Sequence, residues 1–236
     1  MNGDGSLPIE AWLAERYSGG GLRTRSGLAA EYAAVISQLK AVRRGTTPPP
    51  KRWPSAAYFG YAPMKLSRKH CADLAQLQPW LWEQHGPNIG DLRMTLLATL
   101  AAQADPALLD LWRESLRYLR PRDKEGPQRR RVALCAVGLL LLEGDEPGSE
   151  ALELEALLLD ALGHSNAQTV GDAARVLMGL HKLRGQPANK AVIGALQASL
   201  AKATKQPARL RLRRALESMG VAPNDVGSWV VRVWLQ

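Results

Sequence analysis

Apolar residues recur three and four positions apart over most of the chain, which is the spacing of helices with one buried face. The first clear case covers residues 26–45, where Ser26 is placed to cap the helix and Gly45 to end it. Its predicted buried stripe comprises Leu28, Tyr32, Val35, Ile36 and Leu39. A shorter helix is predicted before it, in "SLPIEAWLAERY", and is ended by the glycines at 19–21.

From Ser67 the helical pattern continues almost to the end of the chain. A helix over 67–77 is followed by a short one that Pro79 opens, because proline suits a first helical turn. Helices then come in pairs over 88–120, 128–163 and 167–207, and the first helix of a last unit covers 208–219. Each first helix has a run rich in Ala and Leu that ends near a glycine or a proline.

The spacing of these stops indicates a repeat. Gly144, Gly185 and Gly220 are 41 and 35 residues apart, with two helices in each interval. A period of this size is typical of α-solenoids. The chain resembles the HEAT and armadillo-like repeat families over residues 88–222, most closely in "GDAARVLMGLHKLRG" at 171–185. The resemblance implies a stack whose concave face binds a protein or a nucleic acid, and it does not imply an enzyme.

The segment "ARLRLRRALESMG" at 208–220 is ambiguous, because Leu and Arg alternate at its start as in a strand. The helical periodicity around it is longer than the alternation, so we expect a helix. Its predicted buried positions are Leu212, Ala215, Leu216 and Met219. Arg209 and Arg213 are then expected on one exposed side.

These patterns predict an all-α fold, an α-solenoid with an N-terminal helical segment; a plain helical bundle is the alternative. The expected domains are 1–87 and 88–236. A basic, aromatic and proline-rich loop over 46–63 interrupts the first domain, and we expect its aromatics to pack onto the helical body. The tail "SWVVRVWLQ" is rich in strand formers, and it is expected to cap the last repeat or to act as an extended ligand.

The distribution of charged residues along the chain is more informative about function than the overall composition. The net charge is +9, and single-sign blocks divide the chain: 32–72 and 173–216 contain no acid, and 132–174 contains no Lys or Arg. Basic clusters at inter-helix turns, together with the loop, are therefore predicted to bind a partner or a nucleic acid. Ordinary solubilising arginines are the alternative explanation. The candidate binding residues are Lys51, Arg52, Trp53, Arg129, Arg130, Arg131, Lys202, Lys205, Arg209, Arg211, Arg213 and Arg214.

No pattern in the chain points to catalysis or to a cofactor. It has no GxxxxGK[ST] or GxGxxG loop, its four histidines lack HExxH spacing, and Cys71 and Cys135 have no CxxC partner. We therefore expect no metal, no cofactor and no small-molecule substrate. The N-terminus has no apolar signal-like region and the longest apolar run is too short to span a bilayer, so a soluble cytoplasmic protein is expected.

The function predicted from these features is that of a non-enzymatic interaction or adaptor subunit, which binds protein partners through a helical-repeat surface. The alternative is a nucleic-acid-binding subunit that contacts the phosphate backbone through its basic turns. A helical-repeat DNA glycosylase is a distant alternative, since no tryptophan lies beside an aspartate in the arrangement that such enzymes use.

Overall fold

The computed structural model describes residues 25–53, 66–117, 125–143, 149–185 and 189–221. Within these ranges the protein is all-α, as the sequence predicts, and no strand occurs. The α-helices are α1 (Arg25–Arg43), α2 (Arg68–Glu83), α3 (Ile89–Ala101), α4 (Leu109–Arg117), α5 (Gly126–Glu143), α6 (Ser149–Leu162), α7 (Ala167–Arg184), α8 (Lys190–Lys202) and α9 (Gln206–Ser218). A short 3₁₀ helix, Pro106–Leu108, precedes α4.

The described residues divide into two compact units, one of residues 25–143 and one of residues 149–221. The domain boundary expected at residue 87 therefore falls inside the first unit, between the contacting helices α2 and α3. The boundary at residue 87 marks the predicted start of the helical repeat in the sequence. The division into compact units does not test where the repeat starts, so this stays a prediction.

In the first unit, α1 packs on α2, α2 on α3, and both α3 and α4 on α5. The stripe predicted for α1 is buried at Tyr32, Val35, Ile36 and Leu39. Helix α5 is buried on nearly every side from Val132 to Gly138, which explains why its sequence is apolar without a helical period.

In the second unit, α7 packs on α6, α8 and α9, and α8 also packs on both α6 and α9. The core residues of α9 are Ala208, Leu212, Ala215 and Leu216, so the ambiguous segment is a helix as expected. Helical context prevailed over the short alternation because burying these four residues against α7 and α8 requires the helical period. Met219, also predicted to be buried, is only half-buried.

The helix ends confirm the glycine stops that lie in the described part of the chain. Gly45, Gly185 and Gly220 all have positive φ, at 75°, 61° and 73°, after α1, α7 and α9. A residue with a Cβ rarely adopts this left-handed conformation, so glycine is the natural helix terminator here. Ser67 caps α2 as predicted, and its Oγ accepts a hydrogen bond from the amide of His70.

Two boundary predictions were wrong. Helix α2 runs through Pro79 without a break, because buried residues on both sides of it, from Leu74 to Trp82, lie along one face that packs on its neighbours. Ser26 was expected to cap α1 but lies inside that helix. The predicted N-terminal helix, the aromatics Tyr58, Phe59 and Tyr61, and the C-terminal tail fall outside the described residues.

Candidate interaction surface

The α8–α9 turn carries the most exposed of the predicted basic residues. Lys202 is the last residue of α8 and Lys205 is the N-cap of α9, and both side chains are exposed. Arg214 is exposed about two and a half turns further along α9, and Arg213 beside it is half-buried. Within the described part of the chain none of these four side chains forms an ion pair. Their charges are therefore available to a ligand.

The other two arginines of this cluster hold the fold together. Arg209 was expected to be exposed but is half-buried, and its guanidinium donates to the carbonyl oxygen of Ala203 at 2.9 Å, just after α8 ends. A cation at this position also stabilises the negative end of the α8 dipole. Arg209 therefore supports the turn that presents Lys202 and Lys205.

Arg211 ties α9 to α7. Its guanidinium donates to Oδ1 of Asp172 at 2.9 Å, and that carboxylate is only 4% exposed. Gly171 makes room for the approach, since a Cβ at this position would lie 2.7 Å from Cδ of Arg211. A buried carboxylate requires such a partner, because an unpaired charge in the interior is strongly unfavourable. Asp172 is the only acidic residue in the sequence between Leu162 and Leu216, and Arg211 neutralises it.

Arg129, Arg130 and Arg131 were expected in an exposed inter-helix turn, and the structure places them inside α5. The helix begins earlier, at Gly126-Pro127, where proline is favourable in the first turn. Arg129 and Arg130 are buried and are thus withdrawn from any surface, and only Arg131 is half-exposed. No continuous basic turn remains at this place within the described residues.

Arg129 instead forms the centre of a polar cluster that the sequence did not reveal. Its guanidinium carbon lies 4.4 Å from the ring centroid of Trp82, a cation–π contact, and Nε donates to Oγ of the buried Ser115 at 3.2 Å. Nη2 of the same guanidinium forms an ion pair with Oε1 of Glu114 at 3.2 Å. The contacts join α5 to α2 and α4, so we assign this arginine a structural role.

Arg93 contacts the same tryptophan from α3, with its guanidinium carbon 5.4 Å from the ring centroid. It donates to the carbonyl oxygens of Leu81 and Gln84 at the end of α2, and it pairs with Glu125 at 3.2 Å. Together these interactions offset the free-energy cost of burying the charge of Arg93. The only sequence signal was an arginine inside the apolar run of α3, which is unusual in a helix without a polar face.

The three candidate residues of the loop differ in burial: Trp53 is buried, whereas Lys51 and Arg52 are exposed. Trp53 is 2% exposed, and its Nε1 donates to the carbonyl oxygen of His85 at 3.1 Å. Its ring meets Trp80 edge-on, with the centroids 6.1 Å apart. Trp53 therefore anchors the loop as the packing prediction requires, and it offers no surface to a partner. Lys51 and Arg52 next to it are exposed.

Two observations concern metal-binding and reactive side chains in the described residues. No group of three His, Cys, Asp or Glu side chains there is placed to hold a metal ion. Burial raises the pKa of the Cys71 thiol, and the nearby Asp105 carboxylate raises it further, so this thiol is less reactive than an exposed one. In the same ranges, no helix has the length and apolar character needed to cross a membrane.

The structure thus leaves five exposed basic residues from the twelve candidates, namely Lys51, Arg52, Lys202, Lys205 and Arg214. Three of them belong to the α8–α9 region, with the half-buried Arg213 beside them. Comparison with protein-family models, curated proteins and solved structures gave no match to this chain.

Proposed function

We propose that this chain is a non-enzymatic interaction subunit, built as an α-solenoid, that binds an acidic surface of a partner protein. The observation that carries the proposal is the group of basic side chains Lys202, Lys205, Arg213 and Arg214, none of them in an ion pair within the described residues. Unpaired cations held on rigid helices attract a surface of opposite charge and orient it.

The helix contacts support the repeat architecture. Within each unit every close helix pair joins helices that are one or two places apart in the chain. The first helices of successive predicted repeats, α7 and α9, pack on each other, and so do the second helices α6 and α8. Neighbour-only packing of this kind is expected of a solenoid. The Arg211–Asp172 pair fixes one such contact.

Charge reversal at the turn tests the proposal. The full chain with Lys202→Glu and Lys205→Glu is compared with a matched control, Lys182→Glu with Lys190→Glu, which changes the net charge equally at the α7–α8 turn. All four side chains are exposed, so folding should be preserved. The partner is co-purified from the native host and its affinity for each chain is then measured. It should bind the control as it binds the wild type, and it should bind the turn variant at least about tenfold more weakly.

If both variants bind the partner with the same affinity, the proposed site is wrong. Any loss of affinity would then follow from the change in net charge and not from the position of the turn residues. Circular dichroism melting of each variant serves as the folding control. A turn variant that melts like the wild type and still binds its partner normally overturns the assignment of the α8–α9 turn.

Nucleic acid is the second candidate, favoured by the absence of any acid from Ala173 to Leu216. If the four unpaired cations each contact a phosphate of duplex DNA, the logarithm of affinity falls with a slope of about −3.6 against the logarithm of salt concentration. This slope corresponds to a loss of about 150-fold between 50 and 200 mM salt. Removing Lys202 and Lys205 should reduce the slope by about 1.8. A flat salt profile excludes this candidate.

A further inference from the structure

The outward face of α6 is both apolar and acidic. Leu152 is 68% exposed, and Ala156 and Asp160 follow it at intervals of four, so the three residues form one exposed stripe. Glu153 is exposed beside them. The opposite face of the helix is buried at Leu154 and Leu158. A single exposed leucine is ordinary at a protein surface, so what distinguishes this face is the combination of the leucine with acidic neighbours.

Helix α9 presents the complementary combination. Leu210 is 45% exposed, and Arg214 is exposed four residues later on the same stripe. Arg213 lies next to it, and Glu217, one turn further on, is the only acid within α9. The buried face of α9 is occupied by its packing on α7 and α8. The exposed stripe therefore combines the apolar Leu210 with two arginines, and its single acid lies at the C-terminal end of the helix.

We propose that the α6 stripe of one copy of this chain docks on the α9 stripe of a second copy. The argument is charge complementarity around matched apolar residues: Leu152 lies among acids and Leu210 lies among bases. Both helices pack on α7 and α8 and not closely on each other, so the two stripes do not satisfy each other within one chain. The occupant is a copy of the same protein, which carries both stripes.

The contact joins two different surfaces, so it is heterologous and repeats from copy to copy. Such contacts generate rings or open chains rather than closed twofold dimers. Helices of 14 and 13 residues are about 20 Å long and bury less surface than the roughly 1,200–2,000 Å² of a stable interface. Self-association should therefore be weak and should depend on concentration.

The inference goes beyond the proposed function, because it adds Leu210 and the acidic stripe of α6; it shares Arg213 and Arg214 with the proposed site but does not use Lys202 and Lys205. A protein that stays monomeric refutes the self-association and leaves partner binding at the turn untouched. Conversely, turn variants that still bind their partner normally, in a protein that self-associates through the stripes, refute only the proposed function.

The test is sedimentation velocity of the full chain over a range of concentrations at 50 mM salt. Two variants are used, Asp160→Arg and Arg214→Glu. A base near the end of α6 agrees with the helix dipole, and both side chains are exposed, so both variants should fold. Each should weaken self-association at least about fivefold.

Net charge cannot account for that result. The first substitution raises the positive net charge of +9 and the second lowers it. If general repulsion between copies controlled association, the two variants would shift it in opposite directions. A local contact between the stripes predicts that both weaken it. Opposite shifts would therefore overturn the proposal.

Mixing the variants gives a second readout. The Asp160→Arg chain keeps its basic stripe and the Arg214→Glu chain keeps its acidic stripe, so an equimolar mixture should associate more strongly than either variant alone. The matched controls Glu83→Arg and Lys190→Glu change exposed residues outside the stripes and should associate like the wild type. A wild type that is monomeric at all concentrations, or controls as weakened as the stripe variants, would refute the contact.

Discussion

Replacing Arg129 by alanine should destabilise the first unit by about 2–4 kcal/mol. The residue is 1% exposed and touches three other helical residues, Trp82, Ser115 and Glu114. A desolvated cation–π contact is worth about 2 kcal/mol. The buried hydrogen bond from a charged donor to Ser115 is worth about 1.5–3 kcal/mol.

One further term adds little to this sum, and another reduces it. Glu114 is 58% exposed, so its ion pair with Arg129 contributes about 0–1 kcal/mol. Removing the guanidinium also returns the several kcal/mol that its desolvation costs. Alanine gives back this desolvation term but leaves a cavity beside Trp82, which keeps the net effect unfavourable.

The assay is urea unfolding of the full chain, followed by tryptophan fluorescence and by circular dichroism. Arg129→Met is the informative companion, because methionine fills the volume without the buried charge, and its cost should stay below about 1.5 kcal/mol. Arg129→Lys should lose more than Arg129→Met, since a lysine cannot stack its planar group on Trp82. An alanine variant within about 0.5 kcal/mol of the wild type would refute the structural role assigned to the cluster.

Three further substitutions and one labelling experiment test other parts of the structure. Gln78 is fully buried and its side-chain amide makes no hydrogen bond within the described residues, so Gln78→Met should stabilise by about 1–2 kcal/mol, measured by urea unfolding. Pro79→Ala should restore a helical hydrogen bond in α2 and raise stability by about 1–3 kcal/mol; an unchanged value would mean that the helix is already relaxed around Pro79. Trp53→Ala should accelerate tryptic cleavage after Arg52, and equal cleavage rates would show that Trp53 is not the anchor. Cys71 in the native protein should react with a thiol reagent far more slowly at pH 8 than in urea, because its raised pKa keeps it protonated; fast native labelling would disprove that burial.

The sequence by itself determined the helical content and most helix positions. Leu-rich and Ala-rich runs with apolar spacing of three and four, glycine stops at 45, 185 and 220, and a capping serine at 67 are local signals. Local signals suffice because helical hydrogen bonds join residues four apart, and a glycine terminates a helix by its own backbone freedom. The same reasoning failed at Pro79, where the packing of a whole face outweighed a local preference.

Only the tertiary structure decided which charges are available. Arg129 and Arg211 resemble surface residues in the sequence, yet one stacks on Trp82 and the other pairs with Asp172, 39 residues away. The burial of a charge depends on partners brought together from distant segments, and periodicity within one helix carries no information about them. Lys202, Lys205 and Arg214 remained exposed because the helices around them satisfy their own cores without covering this turn.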